Sequence, residues 1–162
     1  MEMINVGIGE YKVSKVPCIL QTASLGSCVG VVLYDFTTKV SGMAHIMLPD
    51  SKLATARHMK ATPKFADFAI ASMLADMMVL GAVRGKITAR MAGGACMFLS
   101  AIEDPIMNIG ARNITAVQEI LDKERIPVTA QDVGSNFGRT VIFDSLEDRF
   151  QIRSAKFGIK VI

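Results

Sequence analysis

Apolar positions along the chain recur with two different periods, and each period predicts its own elements. Phe65, Ala69, Met73, Met77 and Leu80 recur at helical spacing, with Thr62 placed to cap the segment, Pro63 suited to the first helical position and Gly81 as a stop. The methionines of this helix read as core. A second helix is expected to open near Asn113, a good cap, and to carry Ile114, Val117, Ile120 and Leu121 on one face before Pro127 ends it. That face should pack on a sheet. Elsewhere, residues 3–8, 18–22, 28–34, 39–48, 86–92, 128–133, 140–143 and 150–153 are rich in β-branched side chains and punctuated by Gly, Asp and Ser, which predicts strands. Many strands and two helices that do not alternate regularly argue against a doubly wound parallel sheet. They favour an α+β layered fold with mixed sheets.

Composition narrows the picture. No repeat, low-complexity tract or linker-like stretch divides the chain, so residues 1–162 are expected to form one domain. With 51% hydrophobic and 20% charged residues, the chain lacks the signature of a disordered segment. A net charge of +3, carried by scattered lysines and arginines, forms no basic stripe for nucleic acid but is compatible with an acidic protein partner. Residues 1–9 carry Glu2 and lack a basic leader pattern, and the most apolar window, 68–83, is interrupted by Asp76 and falls short of the ~20 residues of a membrane span. A cytoplasmic protein without membrane insertion is therefore expected. The cysteines at 18, 28 and 96 are an odd set without a CxxC pair, so at least one thiol is free.

Cys28 is the thiol with a setting. Gly26-Ser27-Cys28-Val29-Gly30 has the spacing of a nucleophile elbow, but the β-branched run after it reads as a strand where an elbow requires a helix. What remains is a cysteine at the beginning of a strand, between two glycines that let the backbone bend and a substrate come close. A hairpin centred between Phe36 and Thr37 would set Cys28 directly opposite His45. Opposed β carbons lie about 4.5–5.5 Å apart, near enough for a thiol and an imidazole to form a nucleophile–base pair. An imidazolium there would lower the thiol pKa below its usual ~8.5. Thr22, at the end of the preceding strand, is a candidate to orient the imidazole. Cys18 and Cys96 read as small core residues. A zinc site from Cys28, His45, His58 and Cys96 would lack any short ligand pair.

Leu25-Gly-Ser-Cys-Val-Gly30 followed by Gly42-Met-Ala-His-Ile-Met-Leu-Pro49 resembles the CheD family of chemoreceptor glutamine deamidases. Gly7-Ile-Gly-Glu10, Gly93-Gly-Ala95, Ile109-Gly-Ala-Arg-Asn113, Asp132-Val-Gly134 and Gly138-Arg139 resemble its other signatures, in order, over nearly the whole chain. The resemblance implies a Cys/His/Thr triad at Cys28, His45 and Thr22, in an α/β/β/α sandwich with mixed sheets similar to the catalytic domains of deamidating toxins. It implies hydrolysis of glutamine side-chain amides on chemoreceptor cytoplasmic helices through a Cys28 thioester, with His45 as acid and base and no cofactor or metal. It also implies a CheC-type phosphatase of phosphorylated CheY as a partner, which leaves a non-enzymatic adaptor as the alternative function. A cysteine hydrolase acting on another amide or ester is compatible with the same triad.

The oxyanion of such a reaction needs preorganised donors, for which the backbone around Gly26, Ser27, Cys28 and Gly30 is the natural source. Residues 49–62 form a long connection after the His45 strand and carry Arg57, His58 and Lys60, candidates to meet acidic receptor helices. Gly93-Gly94 lacks the GK[ST] of a phosphate loop, so close backbone packing is the expected use of these glycines.

Overall fold

The period-2 segments build two five-stranded sheets in the computed structural model, which describes residues 1–56, 58–98, 104 and 107–162. The elements run β1 (Met3–Asn5), β2 (Tyr11–Ser14), β3 (Ile19–Leu25), β4 (Val29–Asp35), β5 (Ser41–Ile46), α1 (Lys52–Ala56), α2 (Ala66–Val79), β6 (Ile87–Gly93), α3 (Ile109–Lys123), β7 (Val128–Val133), β8 (Arg139–Asp144), β9 (Arg149–Ser154) and β10 (Gly158–Val161). One sheet has the order β1-β3-β8-β9-β10 and the other β2-β5-β4-β6-β7. Both are mixed: β1 with β3 and β6 with β7 are parallel, and the other pairs are antiparallel. The expected α+β sandwich with mixed sheets is what the chain forms.

Burial follows the layering. Strands β4 and β5 are buried at every position, because one face meets the helices and the other meets the second sheet. Val29, Val31, Leu33, Ala44 and Ile46 pack with Ile70, Met73 and Met77 of α2 and Val117 and Leu121 of α3. Val32, Tyr34 and Met43 face the other way, onto Leu20, Val141, Phe143 and Phe150 of the second sheet. That second sheet alternates between buried and more accessible positions along β8 and β9, the pattern of a sheet with one face towards solvent. Among the described residues both long helices lie on the β4–β5 side.

Local differences from the sequence expectation have local causes. The first long helix begins at Ala66, because Phe65 is still extended and pairs with Leu48 in a parallel bridge; Thr62 contributes its carbonyl to the Phe65 amide and does not cap. Helix α3 begins four residues before Asn113. Asn108 is its cap, with Oδ1 accepting from the Ala111 amide, and Asn113 lies inside the helix. Strand 3–8 ends at Asn5, and the Gly7–Glu10 turn leads into β2, which periodicity did not reveal. The exposed edge strand β10 was likewise not anticipated.

Candidate active site

The turn between β4 and β5 sets the register that brings the site together. Asp35 Oδ1 accepts from the Thr37 amide, the Thr37 hydroxyl and the Thr38 amide, while Oδ2 accepts from the Val83 amide. Burial alone would raise this carboxyl, but the donors from Val83, Thr37 and Thr38 outweigh it and hold the pKa at about 2. The loop thus closed, with Lys39 at a φ of 64°, pairs Asp35 with Val40. Strand partners are then Val29 with Ile46 and Gly30 with His45. The expected opposition of Cys28 and His45 is corrected by two residues. Because the shift is even, Cys28 keeps the same face as His45 and becomes its diagonal neighbour, about 7 Å away between β carbons and still within reach of long side chains.

Gly30 occupies the position facing the imidazole. The His45 amide donates to Glu10 O and the Gly9 amide donates to His45 O, so the His45 backbone is committed to the β2 side. The pair with Gly30 is therefore of the non-hydrogen-bonded kind, in which strands and side chains approach most closely. A Cβ on Gly30 would stand 3.0 Å from Leu25 Cδ1 and 3.5 Å from Thr22 Cγ2. Its absence lets β3 of the other sheet lean across and deliver Thr22 to the imidazole.

There the geometry fixes a tautomer. Thr22 Oγ1 is 2.8 Å from Val6 O and 2.7 Å from His45 Nδ1. A carbonyl can only accept, so the single hydroxyl proton goes to Val6 O and Nδ1–H must donate to Thr22 Oγ1. Nε2 is then the unprotonated nitrogen. It is buried and has no hydrogen-bond partner among the described residues, which includes the Cys28 thiol. His45 and Thr22 are essentially sealed from solvent, at 0% and 1% exposure, while Cys28 is half-buried at the border of the inter-sheet cluster.

Burial acts on both titrating groups. It pushes the Cys28 thiol above its ordinary 9.0 and the His45 imidazole below its ordinary 6.5. The expected lowering of the Cys28 thiol by an imidazolium is not found: burial favours the neutral form of each group.

Cys28 sits on a loop held from behind. The Gly94 amide donates to Cys28 O, and the Ala95 amide donates to Gly26 O. Gly93, at a φ of 110°, makes this approach possible: a Cβ there would lie 2.3 Å from Cys28 O. Close packing is thus the use of these glycines, as expected, and residues 94–98 directly after β6 are not helical. The amides of Ser27 and Cys28 find no acceptor among the described residues.

The other candidates separate from this cluster. His58 and Lys60 are exposed after α1, with no bond to Cys28, His45 or Thr22, and Arg57 lies outside the described residues. Cys18 is fully buried, as expected of a core residue. Cys96 is half-buried instead, with Sγ donating to Phe98 O. Among the described residues no group of three or more His, Cys, Asp or Glu side chains converges to hold a metal, and no helix is long and apolar enough to cross a membrane.

Sequence reading missed two contributors. Val6 supplies the carbonyl that sets the Thr22 hydroxyl, which no side-chain pattern reveals. The sequence predicts Asn113 as a cap, yet its Nδ2 donates to Ser27 O and Met47 O, each at 3.0 Å. Asp132 and Arg139 form a partly buried pair that joins β7 to β8, with Arg139 also donating to Gly134 O. The Asp132–Gly134 and Gly138–Arg139 signatures are thereby accounted for as a structural lock.

Known proteins resemble this chain over nearly its whole length. A family model described as CheD chemotactic sensory transduction matches residues 47–154. The chain is 44% identical over 161 residues to the probable chemoreceptor glutamine deamidase CheD of Caldanaerobacter subterraneus subsp. tengcongensis, covering 99% of this chain and 98% of that one. It is 44% identical over 161 residues to the chemoreceptor glutamine deamidase CheD of Halalkalibacterium halodurans, covering 99% of each. To the probable chemoreceptor glutamine deamidase CheD of Desulforamulus reducens it is 45% identical over 159 residues, covering 98% of this chain and 95% of that one.

Proposed function

The chain belongs to the CheD family, and from that premise we propose that it is a chemoreceptor glutamine deamidase with Cys28 as nucleophile, His45 as general base and acid, and Thr22 as the group that orients the imidazole. The observation that carries this reading is the Val6–Thr22–His45 chain, which leaves Nε2 unprotonated, buried and without a partner beside a free thiol. A buried acceptor without a donor costs on the order of 1–3 kcal/mol, and an acceptor left open in this way is free to take a proton in the reaction.

In the reaction, Nε2 takes the Cys28 proton as Sγ attacks the glutamine carboxamide carbon. Burial disfavours the charged form of both groups, which favours proton transfer together with attack. Collapse of the tetrahedral intermediate breaks the C–N bond; His45 gives its proton to the leaving nitrogen, and ammonia departs. A water then loses a proton to Nε2 and attacks the thioester, and the proton returns to Sγ as glutamate leaves. Thr22 accepts from Nδ1–H throughout and stabilises the imidazolium when it forms. The free amides of Ser27 and Cys28 are the proposed donors to the oxyanion, with Gly26 and Gly30 keeping the approach unobstructed. Protons and electron pairs balance without a metal or organic cofactor.

The proposed substrates are glutamines on chemoreceptor cytoplasmic helices, with the exposed His58 and Lys60, and Arg57, meeting acidic positions beside them, and with a CheC-type phosphatase as a further partner. Incubation with receptor cytoplasmic fragments, followed by peptide mapping, should show glutamine converted to glutamate with one ammonia released per site. Stimulation of a CheC-type phosphatase without any conversion would establish the adaptor function instead.

A further inference from the structure

Helix α3 carries a polar residue where its pattern calls for an apolar one. Asn113 is fully buried, on the helix that also turns Val117 and Leu121 into the core, and asparagine is a poor residue for a helix interior. Its amide is oriented without ambiguity: two carbonyl oxygens, Ser27 O and Met47 O, require the NH₂ group between them. The consequence is that Oδ1 is left buried with no donor among the described residues. The seat is rigid, since one turn earlier a Cβ on Gly110 would stand 2.4 Å from Ala95 O. The helix therefore rests directly on the segment that backs the Cys28 loop.

The two carbonyls are not arbitrary. Ser27 C=O and Cys28 N–H belong to one trans peptide plane and point in opposite directions, so whatever fixes the first fixes the second. Met47 follows His45 by two residues, directly after the end of the same strand. We propose that Asn113 is a positioning residue: by holding Ser27 O it aims the Cys28 N–H away from the helix and towards the reacting carbonyl, and by holding Met47 O it ties that peptide plane to the strand of His45. This role rests on the deamidase reading for its kinetic consequence and on geometry alone for its effect on the loop. The gain of the arrangement is preorganisation, because an oxyanion donor must already point at its target when charge develops.

The test compares Asn113→Ala, Asn113→Leu and Val117→Ala in the full chain. Asn113→Leu keeps packing volume while removing both bonds. Val117→Ala loosens the same helix one turn on without touching either carbonyl. Deamidation of a receptor fragment should show kcat falling about 10- to 100-fold in both Asn113 variants with KM within about twofold, as a small misplacement of reacting groups does, and little change in Val117→Ala. Iodoacetamide should label Cys28 at least about threefold faster in the Asn113 variants, as the freed loop gains solvent, while the fully buried Cys18 stays slow and reports that the fold is intact. Equal kinetics in Asn113→Leu and Val117→Ala, or joint acceleration of Cys28 and Cys18, would overturn the proposal. Absence of deamidation by the unaltered chain would instead sink the deamidase reading, and the labelling comparison would still decide whether Asn113 holds the loop.

Discussion

His45 and Cys28 share one face of the same hairpin, yet the two halves of the site are built on opposite principles. The proposed base, His45, is sealed between two sheets, with its backbone bonded to the Gly9–Glu10 turn and its ring to Thr22, which is itself bonded to Val6. The proposed nucleophile, Cys28, stands on a half-buried loop just before β4, with its carbonyl bonded and its amide unused among the described residues. The difference shows what each group must do. A base needs one tautomer and one orientation, which burial and bonding secure. A nucleophile must be reached by a protein substrate and must carry it through a change of geometry, which a sealed strand would forbid.

Substitutions at the two halves should fail in different ways. The largest effect is expected from Cys28→Ala, which removes the bond-forming atom and should lower deamidation by on the order of 10⁴-fold or more with the melting temperature nearly unchanged. Single-turnover assays by mass spectrometry measure it, and retained activity would mean that another thiol serves. His45→Ala should cost about 10³-fold by loss of acid–base catalysis, and the cavity left between the sheets should also lower stability, a penalty that Cys28→Ala escapes. Thr22→Val comes next. It keeps the shape but leaves the Nδ1–H without an acceptor, a loss of about 1–3 kcal/mol. If that loss falls on the barrier, kcat drops roughly 10- to 100-fold, whereas Thr22→Ser should remain near the unaltered rate.

The smallest effect concerns acid. Burial depresses the His45 pKa below 6.5, so between the unfolded and folded values the unfolded chain binds one more proton than the folded one. Stability from this group is complete above pH 6.5 and is lost as pH falls through the folded value. Denaturant titrations at decreasing pH should show the loss, and His45→Gln should remove that part of the slope.

How much of this was legible beforehand divides along the same line. The buried half was readable, because period-2 patterning placed β3, β4 and β5, and parity along a strand is robust: an error of two residues in the turn left Cys28 and His45 on one face. The exact partner was not readable, since the register depends on Asp35 gathering the Thr37, Thr38 and Val83 amides, a bonding pattern that leaves no period in the sequence. The loop half was readable only in its residue types. Gly93 signalled close packing but not its partner, the Cys28 carbonyl, and Asn113 looked like a cap because asparagine is rare inside helices. Contacts between distant segments, such as Val6 with Thr22, have no local signature at all.

The proposed chemistry depends on His45 being held with Nδ1 protonated and Nε2 free to take the proton of Cys28. The chain contains only two histidines, so nitrogen NMR of ring-labelled histidine resolves His45 once His58 has been assigned through its substitution by glutamine. The expected spectrum has a pyrrole-type Nδ1 and a pyridine-type Nε2 at neutral pH, persisting below pH 6.5, with the pattern disturbed in Thr22→Val. A pyridine-type Nδ1, or a ring already doubly protonated at neutral pH, would contradict it.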